Sequence, residues 1–344
     1  MDSVFVTGAT GFVGANLVRV LLAEGYSVRA LARPGSPRRN LEGLPVEIFE
    51  GDLFSASVLK EALRGTRFAF HVAADYRIWT PDPSELYRTN IEGARGVIEA
   101  AAAAGVEKIV HCSSVAAVKP RDKAPADEGS VYGDAREVIG HYKKSKFLAE
   151  LAAMRLAARG LPVVVVNPSA PIGPYDAKPT PTGRIVVDFL NGRIPSYIET
   201  GLNVVGVQDA ARGHLLAALK GRVGERYILG GENLRLKDLF DLLSQETGAP
   251  TPRFKTPYAV AFAFGLFDTA RARLFKREPI APIDAVRMAR HPMWFDSTKA
   301  QRELGFKSRP ARQALAEAAR WFSDNGYLKK PLRLRARAPE TVAA

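Results

Sequence analysis

The chain has 344 residues, of which 47% are hydrophobic, and this composition is typical of a globular protein and excludes a wholly disordered one. The length predicts one large domain or two closely joined ones. The single cysteine, Cys112, excludes an intrachain disulfide and a cysteine-based metal cluster. A first strand predicted from Val4 leaves no room for a secretory signal, so we expect a cytoplasmic protein in a reducing compartment, with no metal site.

The formal net charge of +13 is interpreted as a solubilising surface charge. Part of it is local, because basic residues follow the apolar run from Tyr258 to Phe267 and recur near the end of the chain. That run is too short for the ~20 residues of a membrane-spanning helix. An apolar helix next to basic residues can still touch an anionic membrane, so peripheral contact at the inner membrane surface is the alternative interpretation. Nucleic-acid binding is not expected, because no basic module interleaved with aromatic residues is present.

The N-terminal half alternates short apolar runs with runs of helical periodicity. The predicted strands are 4–7, 27–32, 46–49, 68–72, 109–112 and 163–166, and the predicted helices between them are 12–24, 55–63, 86–104 and 142–159. Such alternation predicts a parallel sheet with helices on both faces, which is an α/β fold of the Rossmann-type, doubly wound kind. The nearly unbroken apolar strands agree, because central parallel strands are buried on both sides.

The pattern loosens after Asn167. Prolines and glycines over 168–183 predict a long irregular stretch, and helices follow over 210–219 and 236–247. We therefore divide the chain into three parts. These are a dinucleotide-binding domain over 1–166, a smaller and mainly substrate-binding lobe over 167–328 with some segments returning to the first domain, and a basic flexible tail over 329–344.

The first strand runs into a glycine-rich turn, Thr7-Gly8-Ala9-Thr10-Gly11-Phe12-Val13-Gly14. Glycines here permit a tight turn, close approach of the backbone to a pyrophosphate and close packing of helix on strand. Such a turn can be merely structural, but its place between the first strand and the first helix predicts nucleotide binding. The predicted cofactor contacts of the turn are Gly8, Thr10, Gly11, Phe12, Val13 and Gly14.

The end of the second strand bears on the choice of cofactor. An acidic residue there usually binds a free ribose 2′-hydroxyl, whereas an arginine favours a 2′-phosphate. This chain has Arg33, with Arg38 close behind, so we expect NADP(H) to be preferred over NAD(H). The alternative is a solvated loop. Asp52, after the third strand, is predicted to accept from an adenine amino group, or alternatively to cap a helix.

Tyr142 and Lys146 lie four residues apart at the start of a predicted helix and therefore share one face. A phenol has a reference pKa near ~10, and a cation one turn away lowers that pKa. Tyr142 can then exchange a proton with a carbonyl or alcohol oxygen. Ser114 follows the fifth strand, and its hydroxyl can hydrogen-bond the same oxygen. Ser113 is the neighbouring alternative, and a loop cap is the structural one.

Taken together, these motifs resemble the extended short-chain dehydrogenase/reductase family of NAD-dependent epimerases and dehydratases. The resemblance covers about residues 3–322 and includes the following segments: Thr7 to Gly14, Asp52-Leu53, His71-Val72-Ala73-Ala74, Thr89-Asn90-x-x-Gly93, Ser113-Ser114, Tyr142-x-x-x-Lys146, Asn167-Pro168 and Phe295-Asp296-Ser297. Within the family the chain is most similar to the dihydroflavonol-4-reductase-like branch. It is especially similar to the bacterial hopanoid-associated sugar epimerases, through segments that include Asp75-Tyr76-Arg77 and Ile139-Gly140-His141-Tyr142.

The resemblance implies the catalytic roles. Tyr142 would be the general acid/base. Lys146 would lower the pKa of Tyr142 and hold the nicotinamide ribose, and Ser114 would orient the substrate oxygen. A homodimer is also an expectation from the family.

The resemblance implies cofactor contacts as well. Leu53 would accompany Asp52 in the cofactor site, Ala73 and Ala74 would line the cofactor, and Pro168 would lie beside the nicotinamide amide. Asn90 would be either structural or part of a proton relay. Gln208 receives no role, because relatives often carry an aspartate at that position.

Two enzymatic interpretations remain, of which we favour the reductase, and both transfer hydride at a carbon that bears oxygen. Arg33 and Arg38 favour an NADP(H)-dependent reductase that converts a ketone to an alcohol. The similar subfamily favours an NAD(P)-dependent nucleotide-sugar epimerase or dehydratase linked to hopanoid biosynthesis. A sensor or scaffold that only binds dinucleotide is a third possibility, but it would not need the intact Ser-Tyr-Lys set.

The substrate is a small molecule, either a ketone or alcohol or a nucleotide sugar. Its candidate contacts are Tyr76, Trp79, Tyr175 and Arg184, whose alternative role is ordinary loop packing. The segment 257–277 suggests a hydrophobic or membrane-derived substrate.

Overall fold

The computed structural model describes residues 2–122, 124–330 and 332. Its strands are β1 Ser3–Thr7, β2 Ser27–Ala32, β3 Val46–Glu50, β4 Phe68–His71, β5 Lys108–Cys112, β6 Val163–Pro168, β7 Ala170–Ile172, β8 Ser196–Tyr197, β9 Gly201–Gly206, β10 Arg226–Leu229, β11 Glu232–Arg235 and β12 Phe254–Lys255. Its helices are α1 Phe12–Ala23, α2 Ala56–Leu63, α3 Ser84–Tyr87, α4 Ala94–Ala103, α5 His141–Ala158, α6 Pro181–Leu190, α7 Val207–Lys220, α8 Leu236–Thr247, α9 Tyr258–Leu274, α10 Ile283–Met288, α11 Thr298–Leu304 and α12 Ala311–Asp324.

Seven parallel strands form the main sheet, in the order β10-β6-β5-β4-β1-β2-β3. The chain runs outward from β1 through β2 to β3 and then crosses back, so that β4 pairs with the other side of β1. In sheets of this kind, ligands bind where the strand order reverses, in the crevice outside the carboxyl ends of the strands. That crevice lies here between β1, which leads into Gly8, and β4, which leads to Ala73.

Side chains of the central strands alternate between two apolar cores on opposite faces of the sheet. In β1, Val4 and Val6 pack with residues of α1 and α7 on one face. Phe5 packs with residues of α2, α4 and α5 on the other face. The central strands are thus buried on both sides, and the predicted doubly wound α/β fold of Rossmann type is confirmed.

A smaller C-terminal lobe is built on the three-stranded sheet β11-β9-β7. Residues of α6, α8 and α12 form its core, in which Phe189 stacks on Phe240 with ring centroids 5.3 Å apart. The segment from α7 to β10 belongs to the main sheet instead, because β10 pairs with β6. The domain boundary at residue 166 stays a prediction. No helix of the described residues is both long and apolar enough to cross a membrane.

Local predictions differ from the structure in two places. The helix predicted over 86–104 is interrupted, because a π-helical segment, Arg88–Gly93, separates α3 from α4. The stretch 168–183 is not wholly irregular: it contains β7 and the start of α6, where Pro181 occupies a first-turn position that needs no backbone N–H. The predicted tail over 329–344 lies outside the described residues, apart from Lys329, Lys330 and Leu332.

Candidate active site

The glycine turn packs against the end of β4 with no room for side chains at two positions. Gly8 has a φ of +72°, and a Cβ there would lie 2.6 Å from the backbone nitrogen of Ala73. A Cβ on Gly14 would lie 2.1 Å from the carbonyl oxygen of Gly8. Both positions therefore require glycine. A Cβ on Gly11 would meet only the Gly8 oxygen, at 3.2 Å, within the described residues, so this part of the turn is open.

The start of α1 is suited to an anion. Gly11 occupies the N-cap position and offers no capping side chain, and no acidic residue lies in the first turn, which begins with Phe12 and Val13. The N–H groups that a side chain would otherwise cap are therefore available, and the helix dipole favours negative charge there. The predicted contacts from Gly8 to Gly14 thus fit the pyrophosphate of a dinucleotide.

A pair of buried histidines lies behind the turn. Thr7 Oγ1 is 2.8 Å from His71 Nδ1, and the backbone N–H of Ala73 donates to the same hydroxyl at 3.2 Å. The rings of His71 and His111 stack with centroids 5.4 Å apart. Burial lowers the pKa of His71 to about 3 and that of His111 well below its ordinary value, so both rings are neutral at pH 7. The network fixes Ala73, and Ala73 and Ala74 are partly exposed beside it.

The two arginines predicted to favour NADP(H) lie in different settings. Arg33 directly follows β2, is exposed, and forms no salt bridge within the described residues. Arg38 is paired with Glu50 at the end of β3. Glu50 therefore already engages the guanidinium of Arg38. Of the two arginines, Arg33 is the one whose guanidinium is free to bind a phosphate.

Asp52 stabilises the turn that leads into α2. Its Oδ1 accepts hydrogen bonds from the Ser55 hydroxyl at 2.8 Å and the Phe54 N–H at 2.9 Å, and these bonds lower the pKa of Asp52. The helix-cap alternative is wrong, because Ser55 occupies the N-cap position of α2 and Asp52 lies three residues before it. The adenine contact stays a prediction. Leu53 packs against Gly93, where a Cβ would lie 2.8 Å from Leu53 Cδ1.

Tyr142 lies in the first turn of α5 and is partly exposed. Burial raises the pKa of Tyr142 to about 12, and the nearby Ser114 hydroxyl opposes that rise. The sequence predicted that Lys146 lowers this pKa. The structure corrects that expectation, because desolvation disfavours the phenolate and outweighs other influences. The phenol therefore holds its proton at neutral pH.

Lys146, one turn further along α5, is buried and donates from Nζ to the carbonyl oxygen of Cys112 at 2.9 Å. Burial lowers the pKa of Lys146. The bond ties α5 to the end of β5, and Ser114 follows two residues later. Ser114 Oγ accepts from the Ala116 N–H at 3.1 Å and so caps its loop, and the same hydroxyl is near enough to Tyr142 to influence its pKa. The structure thus brings Ser114, rather than Ser113, together with Tyr142 and Lys146.

A chain of hydrogen-bonded polar side chains, which the sequence did not reveal, fixes the backbone at Ser114. Asn167 Nδ2 donates to the Ser114 carbonyl oxygen at 2.9 Å and to Glu150 Oε2 at 2.5 Å. Glu150 Oε1 lies 2.6 Å from Arg226 Nη1. The only sequence signal was spacing: Glu150 is one more turn beyond Lys146 on α5. Pro168, predicted to lie by the nicotinamide, follows Asn167 at the buried end of β6.

Asn90 lies in the π-helical segment and has a structural role. Its Oδ1 accepts from the Asp75 N–H at 2.7 Å, and its Nδ2 donates to the Asp75 carbonyl oxygen at 2.9 Å. Nδ2 also lies 2.9 Å from the hydroxyl of Ser145, which donates to the Tyr142 carbonyl oxygen at 2.8 Å. Asn90 therefore fastens the segment after β4 to the first turn of α5.

The four predicted substrate contacts are spread over different surroundings. The Tyr76 hydroxyl donates to the Lys178 carbonyl oxygen at 3.4 Å, and Arg184 is exposed on α6. The Tyr175 ring packs 3.6 Å from the guanidinium carbon of Arg19, which agrees with the packing alternative. Trp79 differs from these three, because it lines a cavity.

That cavity has a volume of about 660 Å³ and lies beside the start of α5. Its lining includes Trp79, His141 and Asp284, together with Ala272 and Arg273 of α9. His141 immediately precedes Tyr142. The cavity therefore adjoins the turn of helix that carries the phenol.

Two further side chains make links that the sequence did not predict. Asn40 Nδ2 donates to the carbonyl oxygens of Thr10, at 3.1 Å, and Tyr175, at 3.0 Å. Gln208, to which no role was given, accepts a 2.8 Å hydrogen bond from Arg309. Each of these hydrogen bonds joins two segments that lie far apart in the sequence.

A parallel sheet with a glycine turn after its first strand and a Ser-Tyr-Lys group at its carboxyl edge defines a nicotinamide-dependent enzyme of the short-chain dehydrogenase/reductase type. The chain belongs to the NAD-dependent epimerase/dehydratase family, which residues 4–230 match. The family predicted from the motifs is therefore confirmed.

Relatives align over nearly the whole chain. It is 43% identical to a putative dihydroflavonol 4-reductase of Synechocystis sp., over 95% of this chain and 96% of that protein. It is 36% identical to sterol demethylase protein B of Methylococcus capsulatus, over 94% of this chain and 99% of that protein. The crystal structure of a nucleoside-diphosphate-sugar epimerase from Pseudomonas aeruginosa is similar with a TM-score of 0.80 and 29% identity, covering 95% of this chain and 99% of that one.

Proposed function

We propose that the protein is an NADP(H)-dependent reductase of the dihydroflavonol-4-reductase-like type, which reduces a ketone to an alcohol. The observation that carries the proposal is the convergence of Ser114, Tyr142 and Lys146 at the end of β5. The similarity to the Synechocystis protein named as a reductase supports the direction of the reaction.

The chain's own residues divide the work in the following way. The nicotinamide, when bound, supplies the hydride. Tyr142 holds its proton at neutral pH and donates it to the carbonyl oxygen of the substrate. Ser114 hydrogen-bonds the same oxygen as negative charge develops on it. Lys146 holds the first turn of α5 against the end of β5 through its hydrogen bond to the Cys112 carbonyl oxygen.

The cofactor would lie along the crevice between β1 and β4. The turn Gly8–Gly14 would hold the pyrophosphate, and Ala73, Ala74 and Pro168 would line the site toward the nicotinamide. Lys146 would also hold the ribose. These contacts fit the open backbone around Gly11 and the uncapped first turn of α1.

Tyr142→Phe tests the mechanism. Loss of the proton donor should reduce turnover by roughly 10²- to 10⁴-fold, because general acid catalysis typically contributes that much. NADPH oxidation is measured with a ketone that the wild-type protein reduces, and NADPH affinity by fluorescence titration serves as the control. Affinity should stay unchanged, and a variant with wild-type turnover would refute the proposal.

Arg33→Ala tests the preference for NADP(H). Removing a charged hydrogen bond to the 2′-phosphate should weaken NADPH binding by about tenfold or more, because such bonds contribute about 1.5–3 kcal/mol. NADH binding should not change. Arg38→Ala is the matched control, and its smaller effect would follow from the pairing of Arg38 with Glu50. Equal affinity of the wild-type protein for NADPH and NADH would contradict the preference.

A nucleotide-sugar epimerase or dehydratase, linked to hopanoid biosynthesis, is the second candidate. The similarity to the Pseudomonas aeruginosa epimerase favours it. An epimerase reoxidises the cofactor that it reduces and usually retains NAD, whereas a reductase exchanges NADP(H) in each turnover. Mass analysis of nucleotide released from freshly purified, denatured protein separates the two, because retained NAD would select the epimerase. A homodimer and a cytoplasmic location remain predictions under either function.

A further inference from the structure

Helix α9 reverses the usual distribution of side chains. Its buried stripe consists mostly of small residues at helical spacing, Ala261, Gly265 and Ala272. Its exposed side carries large apolar residues, including Phe264, Phe267 and Leu274, of which Phe267 is 68% and Leu274 77% exposed. Surface helices normally bury their large apolar side chains, and a contiguous exposed set marks an interaction surface.

The orientation of α9 is fixed by specific contacts on its buried side. A Cβ on Gly265 would lie 3.1 Å from Val286 Cγ2 of α10, so the two helices pack closely. Asp268 accepts a 2.9 Å hydrogen bond from the Ala281 N–H, and Thr269 accepts one of 2.9 Å from the Ile283 N–H. Rotating the helix to bury its phenylalanines would break these bonds. The large apolar residues are therefore held outward.

Basic residues adjoin the apolar surface. Arg271 and Arg273 lie in the last turn of α9, and Lys276 and Arg277 follow it, and all four are exposed. From residue 258 to residue 290 the sequence has six arginines and lysines but three acidic residues. One of the three, Asp268, is buried on the inner side of α9 and pairs with Arg271 at 3.1 Å. An apolar face with a cationic end matches the boundary between acyl chains and anionic headgroups.

We propose that α9 docks this protein on an anionic lipid membrane surface. Val260, Phe264 and Phe267 enter the acyl-chain boundary, while Lys276 and Arg277 contact headgroup phosphates. A second copy of the chain fits this surface less well, because each copy carries a net charge of +13 and would bring a basic helix end to the contact.

The docked helix also forms one wall of the 660 Å³ cavity. Ala272 and Arg273 line that cavity together with Trp79 and His141, next to Tyr142. Docking therefore brings the cavity close to the lipid surface, where a substrate with a long apolar body can enter it. This substrate class rests on the proposed reductase function, whereas the docking itself does not.

Vesicle co-sedimentation tests the docking without any turnover measurement. The probes are vesicles of phosphatidylcholine alone and vesicles of phosphatidylcholine with an equal amount of phosphatidylglycerol. The wild-type protein should bind the anionic vesicles and bind the neutral ones less. Phe264→Glu combined with Phe267→Glu should lower binding to anionic vesicles by about tenfold or more, because two large apolar side chains no longer enter the lipid. Arg277→Glu should weaken binding to anionic vesicles and leave binding to neutral ones unchanged.

Leu219→Glu is the matched control, since Leu219 is 46% exposed on α7, and it should bind vesicles like the wild-type protein. Fluorescence titration with NADPH and circular dichroism check that every variant is folded. Three results would each overturn the proposal: no binding of the wild-type protein to anionic vesicles, equal binding by the double variant, or a wild-type dimer in sedimentation that the double variant converts to a monomer. The last result would assign the surface to a second copy. Failure of the reductase proposal appears instead in the Tyr142→Phe assay and does not alter vesicle binding.

Discussion

Helices α5 and α9 both depart from the rule that governs which side chains are buried, and they depart in opposite directions. Helix α5 buries four polar or charged residues, namely Lys143, Ser145, Lys146 and Glu150. Helix α9 exposes large apolar residues and buries small ones. Departures of this kind are costly unless something compensates for them, so they tend to mark function.

The compensation differs between the two helices. In α5 it lies inside the protein, because Lys146 bonds the Cys112 carbonyl oxygen and Glu150 pairs with Arg226. In α9, Phe264 and Phe267 are 47% and 68% exposed among the described residues, and under our proposal the lipid surface covers them. A helix with buried charges thus indicates chemistry within the fold, whereas a helix with exposed apolar residues indicates an external partner.

The strongest test of this contrast is Glu150→Gln, which removes the buried carboxylate that is paired with the largely covered guanidinium of Arg226. Breaking a buried pair costs about 3–5 kcal/mol, and the free energy of unfolding from urea titration should fall by about that amount. Glu99→Gln is the control, because Glu99 forms an exposed pair with Arg95 and its loss should cost at most about 0.5 kcal/mol. Similar effects of the two changes would mean that the buried pair does not stabilise α5.

Lys143 should affect the free energy of unfolding by an intermediate amount, and this effect depends on pH. It is buried with Nζ 3.2 Å from the Met293 sulfur, and burial lowers the pKa of Lys143 to about 8 from an ordinary value of 10.5. Between these values the unfolded chain binds more protons than the folded one, so the free energy of unfolding rises with pH across this window. Below this pH window, the buried ammonium group of Lys143 lowers the free energy of unfolding by its full amount.

Lys143→Met should remove that dependence. Relative to this variant, the wild-type protein should gain on the order of 2 kcal/mol of stability between pH 8 and pH 10.5. Urea unfolding of both proteins on either side of the window provides the measurement. A difference that does not change with pH would show that Lys143 is solvated in the folded state.

The smallest expected effect is that of Phe267→Ser on stability. Since this side chain is largely exposed, the free energy of unfolding should change by at most about 0.5 kcal/mol. Gly265→Leu, on the buried stripe two residues before, should instead cost about 1–3 kcal/mol, because α9 and α10 have no space for it. If Phe267→Ser were the more damaging change, the phenylalanine would belong to the core and the contrast with α5 would fail.

Much of the fold and of the cofactor turn follows from local sequence. Apolar strands, helical periodicity and the glycines at Gly8 and Gly14 are short-range signals, which can be read without knowing the rest of the fold. The grouping of Tyr142 with Lys146 is equally local, because one helical turn separates them. Placing Ser114 beside them required only that the ends of parallel strands meet at one edge of the sheet.

The features that escaped prediction depend on residues distant in sequence. Arg226 reaches Glu150 because β10 returns beside β6, and no local pattern shows that. Glu50 engages Arg38 from a neighbouring strand. The rise in the pKa of Tyr142 was missed for a related reason: spacing shows which cation is near, but burial, which here dominates, is a property of the whole fold.

The side-chain amide of Asn40, which donates two hydrogen bonds, has a mechanical consequence. One –NH₂ group donates both to Thr10 in the glycine turn and to Tyr175 beyond β7. The two loops are therefore held by the same side chain. A displacement of either loop that preserves the amide's bonds must carry the other loop with it. The glycine turn is thereby linked to the chain that leads into the C-terminal lobe.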